Sequence, residues 1–179
     1  MKIEITAMER DEKEILLNLL EKYEYELSQY FVHYVNELGL YNFENLDGLD
    51  NFYFKDEKGW VFFIKVDGKL AGFAIVLNDY FYLKSRKADY VLADLFVMYR
   101  YRGMGVGKFV ANYLFDKFKG AWQLNAFVKN NKSVAFWLKV ISEYTGKAYE
   151  VLPSQDSTEE HEVGEEHGHN VFIFSSAKQ

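Results

Sequence analysis

Apolar side chains recur along this chain at two spacings, and each spacing predicts one kind of secondary structure. Spacings of three and four residues predict helices, at 11–26, about 27–38, 105–119 and 131–145. Short apolar or alternating runs predict strands, at 2–6, 60–66, 69–77, 90–97, 121–128, near 147–152 and near 170–175. Asp67-Gly68 predicts a tight turn between the second and third strands. The predicted order is therefore β-α-α-β-β-β-α-β-α-β-β.

The strand predicted at 90–97 leads into three alternate glycines, Gly103, Gly105 and Gly107, and then into a helix. Glycine has no Cβ, so backbone N–H groups can approach a ligand closely. The first helical turn adds unpaired N–H donors and the positive end of the helix dipole. The pattern predicts a phosphate or pyrophosphate site. The apolar stripe of this helix is predicted to comprise Val106, Phe109, Val110, Tyr113, Leu114 and Phe118.

The spacing of the glycines narrows the kind of phosphate ligand. The dinucleotide fingerprint G-x-G-x-x-G does not fit, because no glycine stands three residues after Gly105 or Gly107. A P-loop does not fit, because Phe109 stands where Ser or Thr is required. The form that fits is R-x-x-G-x-G, made by Arg102, Gly105 and Gly107. A turn without a ligand is the alternative, although alternate glycines destabilise the start of a helix.

In that form the segment resembles the pyrophosphate loop of the GNAT superfamily of acetyl-CoA-dependent N-acetyltransferases. A second block resembles the family's N-x-x-A-x-x-F-Y element, with Asn130 in the Asn place, Ser133 in the Ala place and Phe136-Trp137 in the aromatic places. The resemblance covers residues 60–145 and is closest to a poorly characterised bacterial subset of predicted acetyltransferases.

The resemblance implies a fold and an activity. The fold would be the GNAT acyl-CoA N-acyltransferase fold, an α+β fold of α/β-type three-layer form. Its central mixed, mostly antiparallel sheet would have about seven strands and about four flanking helices. One domain would span 1–179, with a coenzyme-binding core at about 60–145 and an acidic insertion at about 154–168. The protein would transfer acetyl from acetyl-CoA directly to a primary amine of a small molecule or side chain, without a metal.

The resemblance also implies which residues bind coenzyme A. Backbone groups of the 90–97 strand would pair with the pantetheine arm as an added strand does, and amides of the glycine loop would hold the pyrophosphate. The implied coenzyme-binding residues are Leu95, Phe96, Val97, Arg102, Gly103, Met104, Gly105, Val106, Gly107, Lys108, Asn130, Ser133, Phe136 and Trp137.

Asp94 is the candidate general base. It is the only charged residue in 90–97, a run whose apolar character predicts burial. An attacking amine must lose its proton, because a lysine-like amine has a pKa near 10.4. Burial raises the pKa of a carboxyl toward useful basicity, and related enzymes often have an acidic residue on this strand. A structural Asp that is hydrogen-bonded to the backbone is the alternative.

Trp137 stands where many family members have a Tyr that protonates the departing thiolate. The indole N–H can donate a hydrogen bond but cannot release its proton. Tyr144, two helical turns further on, could substitute; a thiol of pKa near 8.5 could leave unaided; or the protein could bind acyl-CoA without catalysis, as a regulatory module. We favour the unaided thiol. Trp137 also fits a core stripe with Val134, Leu138 and Ile141.

Charge is segregated beneath a net charge of −6. Residues 98–140 carry eight basic side chains and one acidic, which favours a surface that attracts the phosphates of coenzyme A. Residues 9–57 carry thirteen acidic and four basic side chains, and 150–168 carry seven acidic and none basic. These acidic stretches are explained by solvated surface, and they argue against nucleic-acid binding.

Composition limits the remaining possibilities. The 179 residues suit one core, and the absence of cysteine excludes disulfides and thiolate chemistry. No signal peptide or membrane span is predicted, so we expect a cytoplasmic protein. The 18% share of aromatics predicts that some line a cleft or a subunit contact, such as a homodimer interface.

Two further expectations concern the acceptor and metals. Family architecture implies that Tyr30, Tyr34, Glu37 and the 39–59 loop line the acceptor site. The histidines do not have the spacing of a metal site; they are His33, His161, His167 and His169.

Overall fold

The computed structural model describes residues 1–30, 32–41, 58–78, 80, 82–154 and 168–177. In these ranges the chain forms seven strands, β1 (Ile3–Ala7), β2 (Gly59–Val66), β3 (Lys69–Leu77), β4 (Tyr90–Val97), β5 (Ala121–Phe127), β6 (Tyr149–Ser154) and β7 (His169–Ser175). It also forms three α-helices, α1 (Lys13–Leu27), α2 (Val106–Lys117) and α3 (Asn131–Thr145). Short 3-10 helices cover Arg10–Glu12 and Tyr99–Tyr101.

The strands form one mixed sheet in the order β1-β2-β3-β4-β5-β7-β6. β1 and β2 are antiparallel, as are β5 with β7 and β6 with β7. β4 and β5 are parallel, because α2 connects them as a crossover. The predicted mixed, mostly antiparallel seven-stranded sheet is confirmed.

The chain divides into two compact units. The first comprises Met1–Val76 and Asp94–Gly107. In this unit the buried side of α1 carries Leu16, Leu19 and Leu20, which explains why the three-and-four spacing forms a helix here.

Gly72 fixes how closely β3 approaches the second half of β4. A Cβ at this position would lie 1.9 Å from the Phe96 carbonyl oxygen. Any side chain would therefore push the two strands apart, so glycine is required here for close packing.

The second unit comprises Leu77–Ala93 and Lys108–Gln179. Its core is built around Trp122, whose ring packs edge-on against Phe115 and stacks on Phe174. The buried Trp122 indole N–H lies 3.1 Å from both the Phe118 carbonyl and the Ser176 hydroxyl. An indole donor inside the core is therefore satisfied.

The prediction of a second helix at about 27–38 is wrong for the described residues of that range. α1 ends at Leu27, and residues 32–36 form no regular structure. The Asn36 side chain accepts hydrogen bonds from the Leu38 and Leu40 amides, at 2.9 and 3.1 Å. This local bonding competes with a helix, and Val32 and its apolar neighbours bury no face that would stabilise one. About four helices were predicted, and the described residues hold three.

Three predicted stripe positions are also wrong. Phe109 and Tyr113 of α2 are 48% and 38% exposed, and Leu138 of α3 is 39% exposed. The buried faces are displaced around the helices from those predicted, since Ala111 and Phe115 belong to the buried face of α2 and Val140 to that of α3. Most of the predicted 39–59 loop and of the 154–168 insertion lies outside the described residues, and the single domain over 1–179 stays a prediction.

Candidate active site

The glycine loop turns sharply between β4 and α2. After the 3-10 helix Tyr99–Tyr101, Gly103 has φ +73° and Gly105 has φ +81°. Met104 lies between them and is not among the residues with positive φ. Alternating φ signs of this kind form a backbone concavity in which successive N–H groups point toward one place. Such a concavity binds anions, so the loop has the form that the sequence predicted.

The amides of this loop are open. The N–H groups of Tyr101 and Arg102 donate to carbonyls three residues earlier, at 2.9 and 3.1 Å. Within the described part of the chain, no acceptor lies within 3.5 Å in suitable geometry for the N–H groups of Gly103, Met104 and Gly105. Among the described residues other than its chain neighbours, a Cβ built at either glycine would meet no atom within 4 Å. There is therefore both room for an anion and a set of donors for it.

The Arg102 side chain acts within the protein. Its Nε donates to the Val97 carbonyl at 2.6 Å, and its Nη2 donates to Glu26 Oε2 at 2.5 Å. The guanidinium also lies over the rings of Phe96 and Tyr99, at 5.8 and 6.0 Å from their centroids. The Arg102 amide also donates within the protein, to the Tyr99 carbonyl at 3.1 Å, and coenzyme binding by Arg102 stays a prediction.

Part of the predicted basic surface is neutralised. Of the eight basic residues in 98–140, Arg102 pairs with Glu26, Lys108 with Glu143 and Lys119 with Asp116. The Lys108 ammonium lowers the pKa of the Glu143 carboxyl by hydrogen bonding. The net charge of this segment therefore overstates its attraction for phosphate.

Strand β4 continues past the end of its ladder with β5. Among the described residues, that ladder covers only Tyr90–Leu92 of β4. The Phe96 carbonyl lies against Gly72 of β3. Because backbone groups alternate between the two edges of a strand, those of Leu95 and Val97 point to the opposite edge. An extended ligand could add there, although the Val97 carbonyl already accepts from Arg102.

Asp94 lies on this same half of β4 and is partly enclosed. Its pKa is raised from 3.8 to about 6, mainly because burial disfavours the charged carboxylate. A hydrogen bond from the Tyr23 hydroxyl lowers the pKa, and the negative charge of Glu24 raises it. The carboxyl is therefore ionised at neutral pH but more basic than an ordinary aspartate, as a general base requires.

Packing holds Tyr23 in place. Its ring lies edge-on to Phe73 at 5.7 Å and tilted against Phe96 at 5.6 Å. The next residue, Glu24, lies 2.8 Å from His33 Nδ1. Neither Tyr23 nor Glu24 was predicted from the sequence. Tyr23 follows Leu16, Leu19 and Leu20 at helical spacing, and a hydroxyl at that end of an apolar stripe was the available signal.

Tyr144 is engaged in a different network. Its hydroxyl lies 3.0 Å from Asp116 Oδ1 and 3.3 Å from Lys119 Nζ, and its ring packs on Phe115 at 5.2 Å. Desolvation raises the pKa of the phenol. These contacts explain why the Tyr144 hydroxyl lies beside the last turn of α2 without a catalytic role. Its role as an acid stays a prediction.

The second sequence block lies at the start of α3. Asn130 caps this helix, since its side chain accepts from the Ser133 amide at 3.0 Å. Trp137 is buried, with its ring 4.8 Å from the half-buried Phe136. These contacts fit a helix start and a core, and coenzyme binding by these four residues stays a prediction.

Two of the three predicted acceptor residues are exposed to solvent. Tyr34 is 81% exposed, Glu37 is exposed and Tyr30 is half-buried. Their role stays a prediction. The residues that α1 brings to Asp94 are instead Tyr23 and Glu24.

The described residues contain neither a cluster of metal ligands nor a helix suited to a membrane. Over that part of the chain, no group of three or more His, Cys, Asp or Glu side chains could hold a metal ion. Nor does any helix there have the length and apolarity needed to span a membrane. His161 and His167 lie outside the described residues.

With this geometry in view, comparison with known proteins shows the class of protein. Residues 16–141 match the family model of the acetyltransferase (GNAT) family, and the chain belongs to that family. Its members are N-acetyltransferases, so the protein is an acyltransferase. No curated protein gives a significant match.

Two solved structures share the fold at low identity. Spermidine N-acetyltransferase from Vibrio cholerae, in complex with CoA and spermine, is 15% identical over 97% of this chain and 95% of its own, with a TM-score of 0.64. The ribosomal-protein-S18-alanine N-acetyltransferase from Escherichia coli is 12% identical over 99% of this chain and 96% of its own, with a TM-score of 0.61. Both likenesses confirm the predicted fold.

Replacing Asp94 by Asn should stabilise the protein at high pH. A carboxyl whose pKa rises from 3.8 to about 6 on folding destabilises the ionised folded state by about 3 kcal/mol. The destabilisation is fully present above pH about 6 and absent below pH about 4. Urea unfolding at pH 8 should therefore show a higher midpoint for Asp94→Asn, and at pH 4 the midpoints should coincide.

Asp11→Asn is the control for this change, since Asp11 is exposed. Equal urea midpoints of wild type and Asp94→Asn at pH 8 would show that the ionised Asp94 carboxylate does not destabilise the folded state.

Proposed function

We propose that this protein transfers the acetyl group of acetyl-CoA to the primary amine of a small molecule or side chain, by direct attack in a ternary complex. One observation carries the proposal. Open backbone amides at Gly103–Gly105 follow the strand on which Asp94 has a pKa of about 6. An anion site and a tuned base thus lie nine residues apart in the first unit.

The proposed coenzyme contacts are made mostly by the main chain. The amides of Gly103, Met104 and Gly105, with the first turn of α2, hold the pyrophosphate. The outward-facing backbone groups of Leu95 and Val97 bind the pantetheine arm by strand addition. Support comes from the positive φ angles of the loop and from the end of the β4–β5 ladder at Leu92. The similar spermidine N-acetyltransferase structure with bound CoA supports the same cosubstrate here.

Asp94 accepts the proton of the amine. The ammonium first loses one proton to the Asp94 carboxylate, directly or through water, and the carboxylate passes it to solvent, so that the neutral amine attacks the thioester carbonyl. As the C–N bond forms, a second N–H becomes acidic and the same carboxylate takes its proton, while the C–S bond breaks. An N–H of the same strand faces the developing oxyanion. Coenzyme A leaves as the thiolate without a protein acid, because a thiol of pKa near 8.5 gives a fair leaving group, and solvent then protonates the thiolate.

The charge around Asp94 favours a cationic acceptor. Glu24 acts on Asp94 strongly enough to raise its pKa, so the two carboxylates create a negative field. The names of the relatives fit this class, since they refer to spermidine, to spermine and to an alanine of a ribosomal protein. We propose an amine that is positively charged before it reacts.

Acetyl-CoA with a panel of amines tests the activity. We expect thiol release that depends on a cationic amine, and a loss of about 100-fold or more in kcat for Asp94→Asn but not for the exposed Asp11→Asn. The chain contains no cysteine, so a thiol reagent reports only coenzyme A. Binding of acetyl-CoA without turnover of any amine would instead support a non-catalytic acyl-CoA-binding module.

The pH profile tests the assignment of the base. The acid limb of kcat/KM should lie near pH 6, where Asp94 titrates. Tyr23→Phe removes a hydrogen bond that lowers the pKa of Asp94, so the limb should move to higher pH. Glu24→Gln removes a charge that raises that pKa, so the limb should move to lower pH. If the acid limb moved in the same direction in both variants, or in neither, the assignment of Asp94 as the base would be contradicted.

Gly105→Ala tests the loop. Alanine at φ +81° is strained by about 1–2 kcal/mol, although its Cβ meets no atom. Relief of that strain reorients the amides, so we expect CoA affinity, measured by calorimetry, to fall about tenfold.

Gly146→Ala is the matched control, since Gly146 has φ +62° at the end of α3 and its Cβ also meets no atom. It should lower stability by a similar amount and leave CoA affinity unchanged. An equal loss of affinity in both variants would count against the loop as the anion site.

A further inference from the structure

The loop that we assign to the pyrophosphate has few contacts of its own. Gly103 and Gly105 have no side chains, and a Cβ at either would meet nothing within 4 Å. Met104 is half exposed. Glycine-rich backbone has high conformational entropy. Some other group must therefore keep the amides in the concave arrangement before an anion binds.

Arg102, which directly precedes Gly103, is the group in a position to hold the loop. Its single guanidinium bonds the Val97 carbonyl at 2.6 Å and Glu26 Oε2 at 2.5 Å. A planar guanidinium can hold two acceptors in fixed directions, whereas a lysine ammonium is a point charge on a flexible stem. The loop entrance is thereby tied to the end of β4 and, through Glu26, to α1.

The charge of Glu26 is unexpected so close to a phosphate site. By Coulomb's law a carboxylate there repels a pyrophosphate. Tyr23, one helical turn before Glu26, donates to Asp94. The same turn of α1 thus contacts the proposed base and, through Arg102, the proposed anion loop.

We propose that Glu26 is a positioning residue for the coenzyme loop, acting through Arg102 to hold the amides of Gly103–Gly105 ready for the pyrophosphate. The inference rests on the proposed function, since it assumes that the loop binds coenzyme A. It assigns Glu26 a role in coenzyme affinity that is opposite to the effect of its charge.

Glu26→Gln separates the two effects, because it removes the charge and keeps the shape. Coulomb repulsion alone predicts tighter CoA binding in the variant. Loss of positioning predicts weaker binding, with Kd for CoA raised about three- to tenfold. KM for acetyl-CoA should rise by a similar factor, while kcat at saturating acetyl-CoA should change less. Calorimetry and steady-state kinetics on the full chain measure both.

Glu14→Gln is the matched control. Glu14 is an exposed residue of the same helix, and this substitution makes the same change in net charge. Its Kd for CoA should equal that of the wild type. Arg102→Lys keeps the charge but cannot hold both acceptors, so it should weaken CoA binding too. A variant that combines Glu26→Gln with Arg102→Lys should bind CoA no more weakly than the single variant with the higher Kd, because both substitutions act through one contact.

Trypsin gives a second measurement without any ligand. It cleaves after arginine, and cleavage at Arg102–Gly103 should be faster in Glu26→Gln than in the wild type or Glu14→Gln. An unchanged or lower Kd for CoA in Glu26→Gln overturns the proposal. If that variant does not fold, judged by circular dichroism, Arg102→Lys decides by the same criterion. Failure of the wild type to bind CoA would instead refute the proposed function.

Discussion

Left-handed backbone at two positions is the constraint on which the candidate site depends. At Gly103 and Gly105 the chain takes φ angles of +73° and +81°, which residues with a Cβ adopt only under strain. This conformation leaves three successive amides without acceptors in the described part of the chain. Unpaired amides are costly when buried and useful when an anion binds them. The open side of the loop is consistent with the second case.

The strand before the loop carries a second group that lowers the stability of the folded state. Asp94 is a partly enclosed carboxyl whose pKa rises to about 6, so its charge destabilises the folded state at neutral pH. The Tyr23 hydroxyl offsets part of that cost. Groups whose pKa values are shifted by desolvation and by a nearby charge are concentrated at functional sites. The unit that carries the open amides thus also carries a carboxyl suited to accept a proton.

Helix α1 connects these features because it packs on the same part of the first unit. It buries Leu16, Leu19 and Leu20, and its last turns place Tyr23 beside Asp94 and Glu26 beside Arg102. The aromatic rings of Phe73 and Phe96 hold Tyr23 in turn. Helix α1 therefore contributes buried side chains to the first unit and also sets the surroundings of Asp94 and Arg102.

Local patterns in the sequence determined the strands, three of the helices, the glycine loop and the burial of Asp94, because periodicity and glycine spacing act between near neighbours. They misjudged the described part of 27–38, where the Asn36 side chain accepts hydrogen bonds from the Leu38 and Leu40 amides and no helix forms. Only the tertiary structure decided the partners of long side chains. Arg102 meets Glu26 across 76 residues of sequence, and Asp94 meets Tyr23 across 71. Such contacts depend on how α1 packs, which no spacing along the chain encodes.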